Sequence, residues 1–273
     1  MSESMQFIQC FNRKADILSF ITQVIEVEDN QFSTIQTLAE YQTKQTETAT
    51  TNIYQIPASP HAYITIPEVL IEMKDVSVSY HEKKVLRNIN WKIQRGEFWQ
   101  LVGPNGSGKT TLLSMIYGNN TKAYGQEIYI FGRKKGSGES VWDIKEKIGY
   151  FAPTITDFFS RRSTVLQMVV SGLYDTVGLY QKPSHLEKKT AEEWLQVIGL
   201  FDEKDTSFQQ ISLVKQRMVL IARAMIKHPP ILILDEPSTG LNDQNATLLS
   251  QLINKIAKET NTAILYVSHR KEP

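Results

Sequence analysis

Phe98-Trp99-Gln100-Leu101-Val102, running straight into Gly103-Pro104-Asn105-Gly106-Ser107-Gly108-Lys109-Thr110, decides how the chain is read. The first five residues suit a short hydrophobic strand, and the next eight satisfy the pattern G-x-x-x-x-G-K-[ST] in full. Beyond them Leu112, Leu113 and Ile116 recur at helical spacing. Strand, glycine-rich loop and helix form the context a phosphate-binding loop requires. Glycines let the backbone curl and present its N–H groups to phosphates, and the helix aims its positive end at them. Lys109 supplies a mobile positive charge for β- and γ-phosphates, and Thr110 a hydroxyl for Mg²⁺.

Further along, the run Ile231-Leu232-Ile233-Leu234 is continuously apolar, as expected of a parallel strand covered on both faces. It ends on Asp235 and Glu236. A carboxylate at that strand end can hold Mg²⁺ or its water, and the next can orient or polarise an attacking water. His269 follows another strand, Ala263 to Val267, and could bond a γ-phosphate or simply be a structural polar residue. Tyr80 could stack on a base or pack against the protein. Strand patterns at Val69 to Tyr80 and Val85 to Ile93 precede the loop. Helical patterns follow at Leu186 to Ile198, which Gly199 ends, at 217 to 226, and at Leu248 to Ile256. Strands alternating with crossover helices predict an α/β fold.

Composition narrows the rest. The chain has 273 residues, 41% hydrophobic and 22% charged, enough for a full core and unlike a disordered chain. A formal net charge of +1 carries no clear nucleic-acid signal. No run approaches the roughly 18 to 20 apolar residues of a membrane span. The first twenty residues do not resemble a signal peptide, so the expected location is cytoplasmic, with membrane association only through a partner. Cys10 stands alone and cannot form an internal disulfide, while five dispersed His show no zinc-ligand spacing, leaving Mg²⁺ at the phosphate-binding loop as the expected metal. Charge also divides the chain: residues 1–68 hold 3 basic and 8 acidic groups, the remainder 27 and 21. From Thr34 to Gln55, 7 Thr and 4 Gln among 22 positions, with Pro57 and Pro60 beyond, read as an extended or disordered linker. Before it, Phe7, Ile8, Ile17, Leu18, Phe20, Ile21 and Val24 are too many large apolar groups for a simple tail.

Together, residues 69–269 resemble an ATP-binding cassette (ABC) ATPase. Gly103 to Thr111 matches that family's phosphate loop, so the resemblance implies that Gly103, Asn105, Gly106, Ser107, Gly108, Lys109, Thr110 and Thr111 bind nucleotide. Ile231 to Glu236 matches the magnesium-binding strand with its catalytic glutamate, and Ser238-Thr239-Gly240-Leu241-Asn242-Asp243 the D-loop, with Asn242 where Asp is usual. Tyr80 matches the adenine-stacking aromatic and His269 the switch histidine. The implied machinery is Glu236, His269 and Lys109 for catalysis, with Thr110 and Asp235 on the metal. The implied fold is a P-loop NTPase of the ABC type, with a mostly parallel core sheet, an N-terminal antiparallel β subdomain and a helical subdomain. Two such cassettes sandwich two ATP molecules head to tail, each site combining one phosphate loop with the other cassette's signature motif.

Two segments depart from the family pattern. The signature, ordinarily Leu-Ser-Gly-Gly-Gln, is here Ile211-Ser212-Leu213-Val214-Lys215. Ser212 is kept as a nucleotide contact, but Val214 replaces the glycine that admits the partner's γ-phosphate, and its β-branched side chain is expected to obstruct that approach. In Ile148-Gly149-Tyr150-Phe151-Ala152-Pro153, Pro153 stands where the magnesium-contacting glutamine is expected and brings neither side-chain amide nor N–H.

The stretch from Ile130 to Glu139, with Val141-Trp142-Asp143-Ile144, is similar to the second cassette of the soluble tandem-cassette proteins named for molybdate transport or photorepair. That resemblance implies a preceding cassette's tail at 1–33, a Thr/Gln-rich linker at 34–68 and a cassette at 69–273, truncated at its C-terminus. The partner is then a second ABC cassette, in cis or as a homodimer, and low ATPase activity is expected of the isolated chain. A transport-associated role with a membrane permease as partner stays open, without support from the sequence itself. The alternatives are a nucleotide-binding regulatory module with little turnover and a soluble DNA-repair-related ATPase.

Overall fold

The computed structural model describes residues 66–118, 120–159 and 163–269, together with residues 9, 13, 16–17, 22–25, 27–28, 31–32, 34–43 and 54–58. From residue 66 the path runs β1 (Val69–Tyr80), β2 (Lys83–Gln94), β3 (Phe98–Val102), α1 (Lys109–Ile116), β4 (Glu127–Ile130), β5 (Arg133–Lys134) and α2 (Val141–Lys145). It continues through β6 (Ile148–Phe151), α3 (Val165–Val170), α4 (His185–Val197), α5 (Leu213–Met225), β7 (Ile231–Asp235), α6 (Asp243–Glu259) and β8 (Ala263–Ser268).

Two sheets result. β2-β1-β4-β5 is antiparallel, and β6-β7-β8-β3 is parallel throughout. In β1 the buried side chains change phase, from Ile71 and Met73 to Val76 and Val78. A register shift between Met73 and Val76, with Asp75 at φ 49°, absorbs the extra residue and keeps both pairs on one face.

The parallel sheet separates two cores. Ile231 and Ile233 of β7 join Leu113 and Ile116 of α1 and the inner face of the antiparallel sheet. Leu232 and Leu234, pointing the other way, join Phe151 and the helices α3 to α6. Period-two alternation thus buries an uninterrupted apolar strand on both faces, and the two layers hold its carboxyl end beside the loop that follows β3.

In the N-terminal part, Gln23–Val24 pairs antiparallel with Gln36–Thr37, and Val27–Glu28 with Gln31–Phe32. The helix Leu38–Thr43 follows. Residues 36–43, within the stretch read as an extended or disordered linker, form strand and then helix. The cause is a reciprocal cap: Thr37 N donates to Glu40 Oε2 at 2.8 Å, and Glu40 N to Thr37 Oγ1 at 3.3 Å. The strand pairing also crosses the division placed between 33 and 34. Ile56 N donates to Glu259 Oε2 at 3.1 Å, laying this stretch along the end of α6. Phe7, Ile8, Cys10, Leu18, Phe20, Ile21, Pro60 and the end at 270–273 lie outside the described residues. Among the described residues, no helix is long and apolar enough to cross a membrane.

Candidate nucleotide site

β3 is held by β8, and the pairing extends into the loop, where Gly103 N donates to Ser268 O at 3.3 Å. Gly108 is required by its backbone, at φ 97°, where a Cβ would also stand 3.2 Å from Val85 O. Lys109 Nζ folds back over the loop, donating to Gly103 O at 2.6 Å and Pro104 O at 3.1 Å. Asn105, Gly106, Ser107 and Thr110 are exposed. α1 starts without a side-chain cap, so its positive end is offered to a ligand and not to its own chain.

Asp235 closes β7 facing this loop. Burial raises its pKa; the Tyr150 hydroxyl opposes that, the neighbouring Glu236 charge adds to it, and Lys109 offsets it. Tyr150 Oη donates to Asp235 Oδ2 at 3.3 Å, and burial together with that carboxylate pushes the phenol's own pKa up. A half-buried carboxyl beside the ammonium of Lys109, with the exposed Thr110 hydroxyl at the start of α1, is a donor set that fits Mg²⁺, a hard cation preferring oxygen.

Glu236 takes the left-handed conformation, φ 50°, with its N–H donating to Val267 O at 2.9 Å. For a glutamate this is uncommon backbone, of the kind that clusters at functional sites. Its Oε2 lies 3.3 Å from His269 Nδ1 and accepts from Thr239 Oγ1 at 3.2 Å. The fold therefore joins Glu236 to His269 on the same strand ends that carry Asp235.

Tyr80 is 40% exposed, outside the core. Its hydroxyl accepts from Asn120 Nδ2 at 2.9 Å, and the same amide donates to Ser114 Oγ of α1 at 2.9 Å, tying the ring's position to the phosphate-loop helix. Thr111 lies in the first turn of α1. Ser212 is exposed at the N-cap position of α5, in the helical layer, and its side chain makes no capping hydrogen bond.

The Val214 side chain is buried in the helical core together with Val219 and Leu220 and does not stand at the surface. The apolar side chain standing at the surface is Leu213, 41% exposed, with Cδ2 3.5 Å from where a Gly240 Cβ would lie. Pro153 opens the 3₁₀ turn Pro153–Phe158, a position where no N–H is needed. Asn242 caps α6, its Oδ1 accepting from Asn245 N at 2.8 Å, a duty Asn performs as well as Asp. Tyr150, Thr239 and Asn120 were missed. Tyr150 lay inside a segment read only for Pro153, Thr239 inside the D-loop, and Asn120 carries no signal of its own.

The family described as ABC transporter matches residues 86–239. The ABC transporter ATP-binding protein ModF of Escherichia coli (strain K12) is 39% identical over 220 residues, covering 79% of this chain and 45% of ModF. An uncharacterized ABC transporter ATP-binding protein of Schizosaccharomyces pombe is 32% identical over 262 residues, 94% of this chain and 52% of that one. The chain thus spans about half the length of these two relatives. YlmA of Bacillus subtilis (strain 168), an uncharacterized ABC transporter ATP-binding protein, is 33% identical, covering 75% of this chain and 77% of YlmA. Among solved structures, the dimeric structure of MJ0796, a bacterial ABC transporter cassette, is 27% identical with a TM-score of 0.61, covering 74% of this chain and 88% of that one. cbiO1 from Clostridium perfringens, part of the cbiONQ ABC transporter complex, has a TM-score of 0.65 at 24% identity, covering 75% and 80%.

Proposed function

Because the chain belongs to the ABC transporter family of ATP-binding cassettes and has its P-loop ATPase fold, we propose that it binds ATP with Mg²⁺ and hydrolyses it to ADP and phosphate when paired with a second cassette. The observation that carries this reading is the Glu236 carboxylate, held by His269 and Thr239 at the strand end beside the Lys109 loop. Gly103 to Thr111 and Lys109 bind the phosphates, and Tyr80 stands beside α1 for the base. Glu236 orients the water and accepts its proton as that oxygen adds to the γ-phosphorus and the bond to the β–γ bridging oxygen breaks, releasing ADP, with His269 fixing the carboxylate. Thr110 and Asp235 would hold Mg²⁺, which when bound neutralises charge on the β- and γ-oxygens. Ser212 serves the partner's nucleotide. The partner is a second cassette, in cis or as another copy, as the dimer of MJ0796 suggests by analogy. The relatives' names favour a transport-associated role.

Nucleotide binding and hydrolysis measured together test this, on the chain alone and within a polypeptide that carries a preceding cassette. Binding with slow turnover alone and faster turnover when paired is the expected pattern. Glu236→Gln should lower kcat by about 100-fold or more while keeping binding, and Lys109→Ala should weaken both. Tight binding with negligible hydrolysis in both forms would establish instead the regulatory module, the reading that Pro153 favours by offering no side-chain amide.

A further inference from the structure

Arg13 lies far outside the matched family region, yet its guanidinium reaches the turn that carries Thr239. Nε donates to Leu241 O at 3.3 Å and Nη2 to Ser238 O at 3.0 Å. Ser238 O also accepts from Leu241 N at 3.1 Å, so the two oxygens in the arginine's grip are the first and last carbonyls of one four-residue turn, with Gly240 at φ 83° inside it. Nε–H and one Nη–H of a guanidinium form a planar fork whose spacing suits two oxygens on a fixed frame, which an ammonium cannot match. The arginine is itself placed by local structure: its carbonyl accepts from Asp16 N at 3.0 Å, and Gln9 Nε2 donates to Asp16 O at 2.8 Å.

The gripped turn has direct consequences at the site. Ser238 and Leu241 are buried at its two ends, 6% and 2% exposed, and Tyr266 Oη of β8 donates to Ser238 Oγ at 3.2 Å. Thr239 between them donates to Glu236 Oε2, and its N–H donates to Glu236 O at 3.3 Å. A fork across the turn's ends fixes how Thr239 stands over the Glu236 carboxylate.

We propose that Arg13 is a positioning residue for hydrolysis: it clamps the Ser238–Leu241 turn and, through Thr239, sets the Glu236 carboxylate, so that the N-terminal segment governs turnover at the following site. The proposal rests on the hydrolytic reading above. Its test compares the full chain with Arg13→Ala and Arg13→Lys, using Lys109→Ala as the hydrolysis blank. Steady-state kinetics and amide hydrogen exchange at residues 238–241 are the readouts.

The expected result for Arg13→Ala is a kcat about tenfold lower with KM within about twofold, and faster exchange confined to the Thr239 and Leu241 amides. Arg13→Lys should recover part of the rate, because an ammonium reaches the same carbonyls without the fork. Unchanged kcat and unchanged exchange in Arg13→Ala would overturn the proposal. So would faster exchange spread over the whole chain, which would make Arg13 a general stability residue. If the unaltered chain turns over no faster than Lys109→Ala, the hydrolytic reading itself fails. Exchange alone then decides the clamp: no change at 238–241 overturns it, and a local increase supports it.

Discussion

Tyr150 is the side chain through which the interior of the fold reaches the Asp235 carboxylate, the group proposed to hold Mg²⁺. Its ring stacks on Tyr117 at the end of α1, with centroids 4.6 Å apart and planes at 24°, and its hydroxyl donates to Asp235. Burial, aided by Asp175 and opposed by Arg223, pushes the Tyr117 pKa up to about 12, so both phenols stay protonated across ordinary pH. A permanent donor thus orients a carboxylate whose charge burial disfavours. Tyr150→Phe should weaken Mg²⁺ affinity in the ATP complex by about tenfold, the loss expected when a partner that orients a ligand is removed, with ATP binding in the absence of Mg²⁺ unchanged. A Mg²⁺ titration of nucleotide binding checks this. The sequence displayed Asp235 because a carboxylate pair ending an apolar run is a local pattern. Tyr150 stayed hidden because its partner is 85 residues away and only the parallel pairing of β6 with β7 brings them together.

At the scale of elements, α5 decides how closely the helical layer approaches the sheet. Its backbone is crowded from two sides by glycines: a Cβ at Gly172 would lie 2.0 Å from Arg223 O, and one at Gly149 in β6 would lie 2.6 Å from Ala224 O. Gly172→Ala must therefore push α5 off its seat, where Arg223 Nε donates to Ser171 Oγ at 3.0 Å and Arg223 Nη2 to Thr176 O at 3.0 Å. Overpacking of this kind costs about 1–3 kcal/mol and here meets backbone that cannot rotate away, so a loss at the upper end is expected in urea unfolding. The apolar spacing of α5 made the helix legible from residue 217 onward, but its observed start at Leu213 was not. The first turn mixes buried Val214 with exposed Leu213, and Ser212 makes no side-chain cap to mark it. The helix at 38–43 was missed for the opposite reason: a Thr-x-x-Glu cap was present but sat in a Thr- and Gln-rich stretch with little apolar periodicity.

At the scale of the whole molecule, the two cores are joined by charge as well as by β7. Lys227 Nζ, 6% exposed, sits 2.6 Å from Asp175 in the helical layer and donates to Lys145 O of α2 on the other side at 2.7 Å. A second cassette docking on the turn at Ser212 would meet the surface of this layer. On that surface Ser212 is flanked by exposed Leu213, while Val214 is inside. In a symmetric pair each phosphate loop would meet this turn, and the side chain in its way is Leu213. Leu213→Gly should therefore raise turnover several-fold at protein concentrations that favour pairing. Val214→Gly should not raise it, and should instead lower stability by about 1–3 kcal/mol through the lost core contacts. Hydrolysis rates across a protein concentration series, set beside unfolding curves for both variants, separate the two effects. If Val214→Gly proved the more active variant, close backbone approach at that position, and not the exposed leucine, would be what limits the pair.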